Sequence, residues 1–233
     1  MSGKDAILGR LRRSLGRDGP PAEAERDALE ARLSAPKPNL IPKRSDGSAA
    51  DRRRLFEDRA ALVDVTVQSV GSLSDVPGAV ATFLSDHNLP QSIRIAPDLA
   101  TIPWAEEHPM LTIEQGPASI TDLVGVTPAF AGIAETGTLM TISGPGTPAT
   151  LNFVPDNHVV VLRAGQIVGS MEAAWSVLRA EHGGGTLPRT VNFITGPSKT
   201  ADIEQMLVKG AHGPRRLHIV MIDEDEAQTP AQQ

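Results

Sequence analysis

The 233-residue sequence contains no cysteine, and this absence excludes several kinds of chemistry. Disulfide bonds, thiolate nucleophiles and cysteine-ligated iron–sulfur clusters all require that side chain. If the protein takes part in redox chemistry, a bound cofactor or a partner protein therefore has to carry the electrons. We predict no cofactor held by cysteines of this chain, and we leave open whether a small anionic cofactor binds.

Aromatic residues and long apolar runs are also scarce. Aromatic residues make up 3% of the chain and hydrophobic residues 40%, so the core must be built mainly from aliphatic side chains. No apolar run approaches the roughly 20 residues that span a bilayer. The N-terminal segment also lacks the continuous apolar region of a signal peptide. We therefore predict a cytoplasmic protein without a membrane span.

The net charge of -6 is unevenly distributed along the chain. Residues 1–59 carry 14 Lys or Arg and 10 Asp or Glu, whereas residues 60–233 carry 8 and 18. An acidic main body argues against nucleic acid as a partner, because phosphate binding needs clustered positive charge. Beyond residue 43 the only lysines are Lys199 and Lys209, which makes each of them a candidate for a specific role.

The first 50 residues have the composition of an extended arm rather than of a domain. Apolar residues at helical spacing, with arginines around them, predict one amphipathic helix in "KDAILGRLRRSLG". Such a helix could dock on its own domain, on a partner or on an anionic surface, and its narrow apolar stripe favours protein. Segments rich in Pro, Gly and Ser follow. We predict an arm over residues 1–50, a compact domain over 51–223 and a polar acidic tail over 224–233.

Strand and helix patterns alternate through the compact domain. Continuous apolar runs such as "HVVVL" are typical of strands covered on both faces. Helical patterns occur between them, for example over residues 76–86, where Pro77 would occupy the first turn. This alternation predicts an α/β fold with a mainly parallel sheet and helices on both faces.

The segment "VNFITGPSKTADIEQMLVKG", residues 191–210, predicts an anion-binding turn. A strand pattern ends at Thr195, and a helical pattern begins near Ser198 or Thr200. Helix N-termini present free N–H groups and a partial positive charge to anions. Lys199 would add a full positive charge. The alternative is that Ser198 or Thr200 only caps the helix and that Lys199 is a solvated surface charge.

A second unusual segment, "GIAETGTLMTIS", places polar groups inside a strand pattern. Gly137 allows backbone conformations that other residues avoid, and Thr136 and Thr138 could donate hydrogen bonds to an anion. Glu135 could be a general acid or base, a nucleophile toward an activated acyl group, or the partner of Lys199. It could equally anchor a bulge, and the spacing alone does not decide between these roles.

The six histidines show no metal-binding spacing, so we predict no metal site. His158 and His212 lie at the ends of predicted elements, where site residues are common. Each could instead be a structural histidine.

Three motifs together resemble the LUD-domain family: "GIAETGTL", "LNFVPDNHVVVL" and "FITGPSKTADIEQMLVKGAHGPRRLHIVMI". The resemblance covers roughly residues 55–223. It implies a fold similar to that of sugar-phosphate isomerases, glucosamine-phosphate deaminases and CoA transferases, the NagB/RpiA/CoA transferase-like fold. It also implies a system in which LutA-like and LutB-like iron–sulfur proteins join the LUD protein to oxidise L-lactate to pyruvate.

The family pattern and the residue chemistry together define a predicted site, a cleft at the carboxyl edge of the sheet that holds a small anion. In it, Glu135 or His212 would handle a proton. The predicted ligand-binding residues are Thr136, Gly137, Thr138, His158, Gly196, Pro197, Ser198, Lys199, Thr200 and Asp202.

Two other functions stay open at this point. One is a free-standing enzyme that acts on a phosphorylated sugar or a CoA thioester, with Glu135 forming an acyl intermediate. The other is a non-catalytic assembly or regulatory subunit, in which the basic arm grips an acidic partner.

Overall fold

The computed structural model describes residues 3–17, 19, 21–37, 40–183, 187–203 and 206–223. The chain divides into two compact units, residues 1–39 and residues 40–233. The smaller unit contains two helices, α1 (Gly3–Ser14) and α2 (Glu23–Ser34), and neither has a buried residue. The arm thus contains a second helix, and residues 40–50 belong to the larger unit. The predicted acidic tail, residues 224–233, lies outside the described residues.

The larger unit is built on a six-stranded sheet whose neighbouring strands all run parallel. In their order across the sheet, the strands are β1 (Val65–Val70), β12 (Arg216–Ile222), β7 (Asn157–Arg163), β4 (Val124–Pro128), β2 (Ser92–Ile95) and β3 (Thr112–Gln115). The central strands β7 and β12 are almost entirely buried, because protein layers cover both of their faces.

A smaller sheet of four strands accompanies the first. Its order is β8 (Ile167–Val168), β5 (Ala131–Ile133), β6 (Thr138–Ile142) and β9 (Val191–Ile194). Strand β6 is antiparallel to both of its neighbours, and a tight turn joins β5 to β6. Two further strands, β10 (Lys199–Ile203) and β11 (Met206–Lys209), form a separate antiparallel hairpin.

Among the described residues of the larger unit, the α-helices are α3 (Ala49–Leu62), α4 (Val76–Asp86), α5 (Trp104–Glu107) and α6 (Met171–His182). Successive side chains of β7 point to opposite faces of the large sheet. Val159 and Val161 pack with α4, whereas Val160 and Leu162 pack with α3 and the small sheet. Helix α6 covers the other face of the small sheet. The layers are therefore α4, large sheet, α3 with small sheet, and α6.

The predicted fold class is confirmed, since a mainly parallel sheet lies between helices. Helix α4 begins and ends at the predicted residues 76 and 86, with Pro77 in its first turn. The likeness to the fold of sugar-phosphate isomerases and CoA transferases stays a prediction.

The predicted helix over residues 198–210 is wrong, because this segment forms the β10–β11 hairpin. A helix would separate residues 199 and 209 by about 15 Å along its axis. The hairpin instead pairs Lys199 with Lys209. Both ammonium groups reach Oδ2 of Asp64, at 2.9 and 2.8 Å. This shared ion pair comes from a distant part of the chain, so the local helical pattern could not reveal it.

Candidate functional site

A cleft of about 250 Å³ lies where the end of β9 meets the beginnings of β7 and β12. His158 is the second residue of β7, and Leu217, its neighbour in the sheet, is the second residue of β12. The other walls come from the turn after β9 and from the loops that precede β7 and β12. The described lining residues are 152, 153, 158, 193–198, 212–214 and 217.

The cleft does not lie at the predicted carboxyl edge of the large sheet. The motif that follows β9 is indeed at the carboxyl end of a strand, but β9 belongs to the small sheet. Strand β9 pairs with β6 of the small sheet in the antiparallel direction. Its carboxyl end therefore lies beside the amino ends of β7 and β12, not beside their carboxyl ends. The sequence pattern identified the motif but not the sheet to which its strand belongs.

The turn after β9 is held tightly in place. Gly196 has a φ of +83°, and a Cβ atom there would lie 2.6 Å from the carbonyl oxygen of Val63. The backbone N–H of Ser198 donates to the carbonyl oxygen of Pro214 at 2.8 Å. The N–H of Gly210 donates to the carbonyl oxygen of Ser198 at 3.0 Å. These bonds fix the Ser198 wall of the cleft to the loop that carries His212.

The two predicted motifs meet through a chain of hydroxyl groups. Oγ1 of Thr138 lies 2.8 Å from Oγ1 of Thr136 and 2.7 Å from Oγ1 of Thr195. Thr195 lines the cleft. Gly137 has a φ of +64° and packs against the backbone of α3. The turn between β5 and β6 therefore contacts the cleft wall through Thr195 and does not line the cleft itself.

Glu135 is almost fully buried, and its partner is a helix rather than a lysine. Its Oε1 accepts a hydrogen bond from the backbone N–H of Met171 at 3.1 Å. Met171 is the first residue of α6, and Ser170 caps the same helix by accepting from the N–H of Ala173. A carboxylate at a helix N-terminus is favoured by the helix dipole. This geometry gives Glu135 a structural role at the start of α6.

Lys199 is engaged outside the cleft. Its Nζ pairs with Oδ2 of Asp64 at 2.9 Å and donates to the carbonyl oxygen of Val63 at 3.3 Å. Hydrogen bonds and charge from Lys209 and Lys199 lower the pKa of Asp64 to about 2. Glu135 and Lys199 therefore have separate partners, and the pairing that we considered between them is not observed.

The remaining predicted residues divide into two groups. His158, Gly196, Pro197, Ser198 and His212 come together in the cleft wall. Thr200 and Asp202 lie in β10, and the side chain of Asp202 is outside the described part of the chain.

The inner wall of the cleft contains a buried polar network that sequence reasoning missed. Nε2 of His158 lies 2.7 Å from Oγ1 of Thr127, which in turn lies 3.4 Å from Oδ1 of Asn152. The amide nitrogen of Asn152 donates to Oγ1 of Thr141 at 3.1 Å. All four residues are buried. The available signal was a polar residue within each of the apolar stretches "VGVTPAF" and "TLNFV".

His158 is the central titratable group of this wall. Burial lowers the pKa of its ring to about 3, so the ring is neutral near pH 7. Nδ1 of the ring has no hydrogen-bonding partner among the residues that the structure describes. The described lining includes no Lys, Arg, Asp or Glu, so the cleft is polar but carries no fixed charge.

A smaller cavity of about 160 Å³ lies at the carboxyl edge of the large sheet, near the ends of β4, β7 and β12. Ligands of open α/β sheets commonly bind at this edge. Its described polar lining residues are Asp98, Thr101, Arg163 and Gln166. None of the predicted site residues lies in its described lining, and we therefore regard the cleft as the candidate site.

The described residues were also compared with the patterns of metal sites and of membrane-spanning helices. Within the described ranges, no three His, Asp or Glu side chains are grouped as metal ligands. None of the helices in those ranges has the length and apolar character needed to cross a bilayer.

Comparisons with known proteins point to one family. The LUD domain family matches residues 118–222, which include the whole cleft. Lactate utilization protein C of Shouchella clausii is 35% identical over 121 residues, which are 52% of each chain. The Bacillus subtilis protein of the same name is 32% identical over 102 residues, covering 43% of this chain and 42% of that one. The chain thus spans about half the length of these curated relatives.

A solved structure extends the likeness to most of the fold. The crystal structure of a DUF162 family protein from Deinococcus radiodurans superimposes with a TM-score of 0.57 and 26% sequence identity. The match covers 76% of this chain and 100% of that one. Over residues 118–222 the chain is therefore similar to LUD-domain proteins, over about half of its length it is similar to lactate utilization protein C, and its fold is similar to that of the DUF162 family protein.

Proposed function

We propose that this protein is a subunit of a lactate-utilisation system and that its cleft binds a small carboxylate such as L-lactate or pyruvate. The observation that carries this proposal is the composition of the cleft wall. It brings together five predicted residues from three separated segments, all within the LUD-domain match. Both curated relatives compared above are named for lactate utilization.

The size and chemistry of the cleft suit such a ligand. A volume of about 250 Å³ is below the usual range for drug-sized molecules and accommodates a metabolite of a few heavy atoms. The hydroxyls of Thr195 and Ser198 and the ring of His212 can donate hydrogen bonds to a carboxylate. These groups replace the lysine cradle that we predicted from the sequence.

The cleft wall offers groups that can bind the substrate, and the chain has no cysteine to hold an iron–sulfur cluster. Oxidation of lactate to pyruvate releases two electrons and two protons. Since the sequence has no cysteine, we propose that the LutA-like and LutB-like iron–sulfur partners receive the electrons. His212, which is exposed at the cleft, is our candidate for proton transfer.

Filling the cleft is expected to weaken ligand binding without unfolding the protein. A Cβ atom at Gly213 would make an ordinary contact of 3.4 Å with Ser198, so a larger side chain there extends into the cleft. We expect Gly213→Leu to weaken L-lactate binding at least about tenfold, because it removes the volume that the ligand occupies. Isothermal titration calorimetry measures this effect.

The matched control is Ala211→Leu, which adds a leucine two residues away at an exposed position outside the described lining. This variant should bind like the wild type. If the wild-type protein binds neither L-lactate nor pyruvate at millimolar concentrations, the proposed function is wrong.

The enzyme alternative with Glu135 as an acyl nucleophile receives no support from the site. The Glu135 carboxylate caps α6, and Glu135 is not among the described lining residues. A nucleophile has to reach the reacting carbonyl carbon, and a carboxylate held by a helix N-terminus is poorly placed to do so.

The arm is our candidate for the partner contact. Ile7, Leu8, Leu11 and Leu15, the apolar stripe of the first helical segment, are all exposed, and four arginines surround them. A basic amphipathic helix suits an acidic protein groove. We expect Leu11→Asp to abolish co-purification with the iron–sulfur partners, while Ala6→Asp, a matched change away from the stripe, retains it. Equal retention by both variants would show that the stripe is not the contact.

A further inference from the structure

The unpartnered nitrogen of His158 is the feature of the cleft that the proposed function leaves unexplained. Buried polar atoms in native proteins almost always have a hydrogen-bonding partner, and an unpaired one is unfavourable. Nδ1 of His158 is buried and has no partner among the described residues, yet its ring forms part of the cleft wall. His158 lines the cleft but has no exposed surface in the free protein, so a group bound in the cleft reaches this nitrogen only with a small movement of the ring.

The second unpaired imidazole nitrogen has a different setting. Nε2 of His218 is also buried without a described partner. Its ring stacks on Phe83 of α4, with ring centroids 4.8 Å apart, on the opposite face of the large sheet from the cleft. His218 is absent from the described lining of the cleft. His158 therefore combines burial, an unpaired nitrogen and a position on a cavity.

The polar network determines which nitrogen of His158 carries the proton. The amide nitrogen of Asn152 donates to Thr141, so Oδ1 of Asn152 is an acceptor. The hydroxyl of Thr127 donates to that oxygen, and its own lone pair is then available to the Nε2–H of His158. With the proton on Nε2, Nδ1 is a bare acceptor. It requires a ligand atom that can donate a hydrogen.

We propose that Nδ1 of His158 accepts a hydrogen bond from the hydroxyl group of the bound ligand and thereby selects 2-hydroxy acids over 2-oxo acids. This inference rests on the proposed function and names the substrate class of the same cleft. L-Lactate has one hydroxyl donor, whereas pyruvate presents only acceptor oxygens and would place a lone pair against a lone pair. The carboxylate, common to both molecules, is left to Thr195, Ser198 and His212.

The direct test compares the affinities of L-lactate, pyruvate and propionate for the full-length protein by isothermal titration calorimetry. We expect L-lactate to bind about 10- to 100-fold more tightly than the other two, the range that one unsatisfied buried hydrogen bond produces. Equal affinities for L-lactate and pyruvate would overturn the inference and leave the proposed function standing. No binding of either acid would overturn both.

His158→Gln is the informative variant. The glutamine amide can still donate to Thr127 from the position of Nε2, but it has no atom in place of Nδ1. We expect the preference for L-lactate over pyruvate to fall below about threefold, mainly through weaker lactate binding. His158→Asn, which can place its amide oxygen near the position of Nδ1, should retain part of the preference. Wild-type selectivity in His158→Gln would overturn the inference.

A spectroscopic measurement on the wild-type protein does not depend on any variant being folded. The ¹⁵N resonance of His158 Nδ1 should have the chemical shift of an unprotonated imidazole nitrogen. It should move upfield on addition of L-lactate and remain in place on addition of pyruvate. A protonated Nδ1 in the free protein would contradict the proposal.

Discussion

Acidification from about pH 6.5 to pH 4 is expected to destabilise the protein strongly, because two histidines are buried in the neutral form. Burial lowers the pKa of His158 to about 3 and, as the largest cause, that of His218 to about 4. In the unfolded chain both rings titrate near pH 6.5. Below that pH the unfolded state binds protons that the folded state does not bind. Each histidine should then lower the free energy of unfolding by about 1.4 kcal/mol per pH unit.

The surroundings of the two rings explain why the pKa values of both are lowered. His158 lies between the two sheets, where no described charged group contributes to its shift and loss of hydration is the cause. For His218 the repulsion from His87 adds to burial, and the attraction from Asp86 opposes it. Nδ1 of His218 also lies 2.8 Å from Oγ1 of Thr66.

Urea unfolding between pH 7 and pH 4.5 measures this effect. His158→Gln and His218→Gln should each flatten the pH dependence, because each removes one buried neutral ring. The histidines and Asp64 affect stability in different pH ranges. The lowered pKa of Asp64 means that its contribution is lost only as the pH falls below about 4 toward about 2. A stability that is constant from pH 7 to pH 4.5 would contradict the prediction.

Gly137→Ala is expected to lower the free energy of unfolding by about 3 kcal/mol or more, combining backbone strain with overpacking. The φ of this residue is +64°, a region that L-amino acids with a Cβ atom rarely adopt. The added Cβ would also lie 2.5 Å from the backbone nitrogen of Ala60 and 2.6 Å from the carbonyl carbon of Arg59. Both atoms belong to the backbone of α3, which has little freedom to retreat.

Two other glycine positions distinguish backbone strain from overpacking. Gly183 has a φ of +69° and a ψ of 148°, with open space around its Cβ position, so Gly183→Ala should cost only the strain, about 1 to 3 kcal/mol. Gly165 has neither a positive φ nor a close neighbour, and Gly165→Ala should change stability by less than about 0.5 kcal/mol. Urea unfolding at pH 7 compares the three variants. Equal effects of Gly137→Ala and Gly183→Ala would show that the contact with α3 is unimportant.

The contact between Gly137 and α3 also bears on function. Thr136 and Thr138 flank this glycine, and Thr138 hydrogen bonds to Thr195 in the cleft wall. Displacing the turn should therefore disturb the wall as well as the fold. The same packing explains why the "AETGT" motif contains a glycine at this position.

Local patterns were sufficient for several parts of the molecule. The alternating strands and helices, and the apolar runs of β7 and β12, predicted the α/β class, because burial on both faces selects continuous aliphatic segments. Helix α4 was predicted at its observed residues, since its pattern and the position of Pro77 are both local. The motifs that carry the family resemblance can also be read directly from the chain.

Three features depended on tertiary structure. The β10–β11 hairpin replaces a predicted helix, and in it Lys199 and Lys209 share Asp64, which lies more than a hundred residues earlier in the sequence. Glu135 caps α6 through Met171 instead of pairing with Lys199. The cleft lies at the amino ends of β7 and β12 because β9 belongs to the small sheet.

The sequence by itself therefore determined the fold class, the motifs that resemble the LUD-domain family and five of the residues that meet in the cleft. The tertiary structure alone decided which charges are paired within the fold, which edge of the sheet holds the cleft, and that Nδ1 of His158 has no partner among the described residues. The physical reason is the range of the interactions. Hydrophobic periodicity and turn preferences act between near neighbours, whereas ion pairs, helix caps and buried hydrogen bonds join residues that only the folded chain brings together.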